Sequence, residues 1–113
     1  MIAFDNQILK LKKNTDFRLV WATGDKKVST NLLLIYVDNK EKHSRVGISS
    51  VKNYGNAVQR NKIIRRIKSI IPMINIIQGK DIIIIARKKT KYTKFEIIQD
   101  ELISLFSTSG LSC

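Results

Sequence analysis

Apolar residues switch between helical and strand spacing along the chain. Residues 14–24, NTDFRLVWATG, bring Phe17, Val20 and Trp21 onto one helical face. Asn14 or Thr15 can cap this helix, Asp16 suits its positive end, and Gly24 can stop it. LLLIYV, residues 32–37, is apolar at both parities, the pattern of a strand covered on both faces. The polar stretch Asn39, Lys40, Glu41 and Lys42 then leads to a second strand, Arg45 to Val51, and the two are expected to pair as an antiparallel hairpin. In RVGISSV, Val46 and Ile48 alternate with Arg45, Gly47 and Ser49, so one face is small and polar and leaves room for a ligand.

Asn56 and Gln59 have the spacing of a capping box, opening a helix that Pro72 should end near Ile71. Ile63, Ile64, Ile67, Ile70 and Ile71 fall within an arc of about 120°, the width of a core-facing stripe. DIIIIA, after Gly79, has the β-branched content of a buried strand. Thr93 and Glu96 suggest a second capping box, and Phe95, Ile98, Leu102 and Leu105 form the inward stripe of a last helix. The order is helix, strands, helix, strand, helix, without repeats or a linker. Residues 1–113 are expected to form one domain, with a frayed tail over about 107–113.

Charge adds a direction to this scaffold. Twenty-one Lys and Arg against nine Asp and Glu give a net charge of +12, a field that reaches about a Debye length, ~8 Å, into physiological salt and favours a polyanion. No acid stands between Glu41 and Asp81, a span that holds Lys42, Arg45, Lys52, Arg60, Lys62, Arg65, Arg66, Lys68 and Lys80. On the central helix Asn61, Arg65 and Lys68 make one outward stripe, and Lys62 with Arg66 a neighbouring one, with cations ~5–6 Å apart, a spacing comparable to that of successive phosphates. A Lys-rich face can serve solubility alone, but acids would then be interspersed. Arg60 falls on the isoleucine arc and is expected to order the Gly55–Asn56 turn while offering part of its guanidinium to a phosphate.

Phe17, Trp21, Tyr36 and Tyr54 are candidates for stacking on unpaired bases, with core packing as the alternative. His43 is the only histidine and Cys113 the only cysteine. No catalytic constellation and no metal-ligand cluster is visible, so no catalytic or metal-binding residue is assigned. No window reaches the ~18 apolar residues of a membrane span, so a cytoplasmic protein without a membrane partner is expected.

The run RVGISSVKNYGNAVQRNKIIRRIK resembles the signature of the protein subunit of bacterial ribonuclease P, with Arg60-Asn61-Lys62 at its R-N-R motif. Phe17, Val20 and Gly24 match the F-x-x-V-x-x-x-G of that family's first helix, and DIIIIAR matches its late strand. The resemblance implies a ribonuclease P protein-like α+β sandwich of a small mixed sheet with helices, in the order α-β-β-β-α-β-α. It implies a subunit that binds a catalytic RNA, which performs Mg²⁺-dependent removal of the 5′ leader of precursor tRNA. The protein alone would be inactive, and no obligate protein partner is expected.

Carried over by position, Arg60, Asn61, Lys62, Arg65, Arg66 and Lys68 would contact the RNA subunit, while Phe17, Trp21, Tyr36, Ser49 and Lys52 would line a cleft for the single-stranded leader. Lys62 replaces the second Arg of the motif, Ile64 a usual Lys, and Asn53 the second of two lysines. A structured-RNA-binding module of the ribosomal kind, with no part in cleavage, is the alternative, and a DNA-binding helix ranks behind both.

Overall fold

The computed structural model describes residues 8–10 and 14–112. Cys113 and the N-terminal stretch before Ile8 lie outside the described residues, as does the side chain of Asn14, one of the two candidate caps. The elements are β1 (Ile8–Lys10), α1 (Asn14–Thr23), β2 (Asp25–Val28), β3 (Leu32–Asp38), β4 (Ser44–Ser50), α2 (Ala57–Ile70), β5 (Lys80–Ala86) and α3 (Phe95–Thr108), with short 3-10 helices at Ile71–Met73 and Lys88–Tyr92. After β1 this is the expected α-β-β-β-α-β-α order.

The sheet runs β1-β4-β5-β3-β2. β4 is parallel to both β1 and β5, whereas β3 is antiparallel to β5 and β2. The expected hairpin of β3 with β4 therefore does not form, because β5 lies between them. Ile82 to Ile85 are all buried, and a strand apolar on both faces belongs in the middle of a sheet, where both faces and both edges are covered. The β3–β4 connection passes the start of β5, with the Asn39 amide donating to the Gly79 carbonyl at 2.9 Å.

Alternation along the strands feeds two cores. Leu32, Leu34, Val46, Ile82 and Ile84 face α2 and α3, meeting Ile63, Ile67, Ile98 and Phe106. Ile35, Ile83 and Ile85 face the other way, against Val20 of α1. The two-sided cover expected of residues 32–37 is thus present. β2, whose residues Asp25 to Val28 are all exposed, carried no apolar signal because it is a charged edge strand of the kind that discourages further pairing.

Two local expectations are corrected. α3 begins after Lys94 without a side-chain cap, because the Thr93 hydroxyl is engaged elsewhere, 3.0 Å from Asn31 Oδ1 and 2.7 Å from the Lys89 carbonyl. The segment from residue 107 does not fray up to Ser112. Leu111 is buried, its carbonyl accepts from the Ile77 amide at 2.9 Å, and Ser112 bridges Ile76. An apolar anchor with paired backbone holds this tail to the body.

Candidate nucleic-acid interface

α2 is set by its ends and its stripe. The Asn56 side chain accepts from the Gln59 amide at 2.9 Å, and the Gln59 side chain returns the bond to the Asn56 amide at 3.1 Å. The helix gives way to the 3-10 turn that contains Pro72. Ile63, Ile67 and Ile70 are buried, as is Ile71 just beyond, with Ile64 packed partly against them. Asn61, Lys62, Arg65 and Lys68 are exposed on the outer side and Arg66 is half-buried. Arg60 is exposed too, and its Nη1 donates to the Gly55 carbonyl at 2.8 Å, so it orders the turn as expected.

The opposite sheet face carries a groove under α1. Phe17 lies directly over Gly47, where a Cβ would come within 2.4 Å of Phe17 Cζ. Beside it a hollow of about 420 Å³ is walled by Arg18, Trp21, Ser49 and Lys52 and floored by Leu33, Ile83 and Ile85. Trp21 is 49% exposed. Lys26 donates to its carbonyl at 2.8 Å and holds its ammonium 5.8 Å from the indole centroid. An apolar floor, an accessible indole and cations at the rim suit an unpaired nucleotide strand.

α1 is tied down by charge as well as by Val20. Arg45 Nε donates to Asp81 Oδ1 at 2.8 Å and its Nη1 reaches Asp16 Oδ2 at 3.2 Å, while Asn39 donates to the same Asp81 oxygen at 2.9 Å. The hydrogen bond to Asp81 raises the Arg45 pKa above its ordinary value, with smaller coulombic help from Asp81, Asp16 and Glu41, against a lowering by burial. Arg45 and Lys80, counted in the basic span, thus have acidic partners, Lys80 pairing with Asp38.

Phe17, Trp21, Ser49 and Lys52 come together in the groove. Tyr36 does not, because it shares parity with Leu32 and Leu34 and packs on the α2–α3 side. The neighbouring Ile35 takes the groove-side parity, fully buried. Tyr54 is a core residue, 2% exposed. Asn53 sits at φ 63, a left-handed position where Asn costs less than most residues. Arg18 and the apolar floor were not singled out from sequence. Arg18 stands between the two aromatics in the chain, a signal that could have found it.

The model of the family described as Ribonuclease P matches residues 6–110. The chain belongs to the ribonuclease P protein family. Among relatives named ribonuclease P protein component, one from Bacillus mycoides is 38% identical over 105 residues, covering 90% of this chain and 91% of the relative. One from Streptococcus agalactiae is 31% identical over 103 residues, covering 90% and 94%. The solved Staphylococcus aureus RNase P protein superposes with a TM-score of 0.82 at 34% identity, covering 92% of this chain and 97% of that one. The Thermotoga maritima RNase P protein gives 0.75 at 26%, covering 85% and 93%. As a ribonuclease P protein the chain is the protein part of a ribonucleoprotein endoribonuclease that processes tRNA, and its partner is RNA. Among the described residues no helix is long and apolar enough to cross a membrane.

Proposed function

We propose that α2 docks on the catalytic RNA through Arg60, Asn61, Lys62, Arg65, Arg66 and Lys68, and that the groove of Phe17, Trp21, Ser49 and Lys52 receives the single-stranded 5′ leader of precursor tRNA. One observation carries this reading. Ser49 to Lys52 line the groove and lead within a few residues through Gly55–Asn56 into α2, so the two surfaces share an edge and one protein can hold both RNAs in register. Cleavage itself is left to the RNA, with the protein positioning the substrate.

The Mg²⁺ of the reaction belongs, in this reading, to the RNA-based holoenzyme. Among the described residues no three His, Cys, Asp or Glu side chains converge into a donor set for an ion. A cytoplasmic location goes with tRNA processing.

The test is 5′ cleavage of a precursor tRNA by a bacterial ribonuclease P RNA at limiting Mg²⁺, with and without the protein, beside the protein alone. Faster cleavage only when both are present supports the subunit role. RNA binding without stimulation would leave a structured-RNA-binding module and remove the leader groove.

A further inference from the structure

Neither the groove nor the outer stripe of α2 accounts for a second hollow, of about 130 Å³, between α2 and the 3-10 helix Lys88–Tyr92. Lys62 and Arg66 enter it from α2 and Lys91 from the 3-10 helix, over Gln59, Tyr54 and Thr90. No carboxylate lines it, and among the described residues these three cations are not ion-paired.

Lys91 is held in place. Its Nζ stands 5.1 Å from the Tyr54 ring centroid, and a Cβ at residue 55 would come within 3.0 Å of it, so the bare Gly55 leaves room for the ammonium. The ring beneath is fixed in turn. Tyr54 and Thr90 hydroxyls are 2.6 Å apart, and Thr90 donates to the Arg87 carbonyl at 2.8 Å, which leaves the Tyr54 hydroxyl as donor to Thr90. Three cations converging on one small half-enclosed space repel one another unless an anion sits among them.

We propose that this hollow docks one phosphate group and that in the assembled enzyme the group is a backbone phosphate of the catalytic RNA, gripped by Lys91 from outside the basic helix. The proposal rests on the reading of α2 as the RNA-facing helix and extends that face onto the segment after β5. The same chemistry would accept free inorganic phosphate, and the experiment separates the two sources.

The full chain is compared with Lys91→Gln, Lys91→Arg, Arg65→Gln and Lys40→Gln, the last in the β3–β4 loop at the far end of β5. Affinity for a bacterial ribonuclease P RNA is measured across salt, and inorganic phosphate is titrated while the backbone amide NMR signals of Gln59, Thr90 and Lys91 are followed. Phosphate should shift those signals in the parent protein and not in Lys91→Gln. Lys91→Gln should lose roughly tenfold in RNA affinity, as expected for one charged hydrogen bond, with a salt slope shallower by about 0.7–0.9. Lys91→Arg should keep most of both, and Lys40→Gln all of both. Should thermal melting show Lys91→Gln unfolded, Lys62→Gln takes its place.

Parental affinity and slope in Lys91→Gln, with a loss in Arg65→Gln, would overturn the hollow and leave the helix reading standing. Failure of the parent to bind the RNA at all would strike that helix reading and the proposal with it. Lost phosphate shifts with RNA affinity intact would restrict the hollow to free phosphate and overturn the RNA assignment.

Discussion

The ring of Phe17 occupies the space that a side chain on Gly47 would need, with 2.4 Å between Phe17 Cζ and the place of a Cβ. Gly47→Ala must therefore lift α1 or turn the ring. Overpacking of this kind costs about 1–3 kcal/mol, so the melting temperature should fall. Preference for precursor over mature tRNA should weaken in the same variant, because the ring that moves is part of the groove. An unchanged melting temperature would show that the ring is not held against β4.

Trp21→Ala should reduce the affinity gap between precursor and mature tRNA by about 1–3 kcal/mol, the range for one stacked base, and change folding stability little because half the residue is exposed. Affinity for the catalytic RNA should stay as it was. An equal loss on precursor and on catalytic RNA would take Trp21 out of the leader groove.

Tyr36→Ala is the contrasting variant. Its side chain packs on the α2–α3 side, so it should lower stability, read by urea denaturation, while the discrimination between precursor and mature tRNA is kept. A selective loss of leader binding in a stably folded Tyr36→Ala would return it to the groove.

Asp81→Ala removes both the bonds that Arg45 makes to it and the acceptor of Asn39. The Asp81 side chain is 6% exposed and Arg45 28%, so the stranded guanidinium is only partly hydrated, and a loss of about 2–4 kcal/mol is expected. Asp16→Asn, at the more exposed end of the same network, should cost under about 1 kcal/mol. Equilibrium urea unfolding of both variants checks the ordering, and equal costs would mean that Asp81 is not the anchor.

The salt dependence of binding to the catalytic RNA should be steep, with log affinity falling by about 0.7–0.9 per phosphate contact for each unit of log salt. Arg65→Gln should flatten it by one such step. A nearly flat dependence for the parent would remove the phosphate comb.

Most of what the chain states locally, the fold keeps, the Thr93–Glu96 box being the exception. The isoleucine arc, the Asn56–Gln59 box, the break at Pro72 and the double-sided apolar strand at 32–37 all depend on neighbours within about two turns, and each stands in the structure. The acid-free basic span and the family motif likewise lie in one continuous run of residues, which is why the basic helix was legible in the sequence. Strand order was not, because a short polar connection such as 39–43 is equally compatible with a hairpin and with two strands that flank a third. Only β5, with apolar residues on both faces, decides that by claiming the centre of the sheet. Its pairing with β3 sets the parity that turns Tyr36 away from the groove and Ile35 toward it, a difference of one residue that no periodicity in an all-apolar strand can reveal. The meeting of Lys91 with Lys62 and Arg66 is likewise tertiary. It brings together residues far apart in the chain, through a tyrosine hydroxyl and the missing side chain of a glycine.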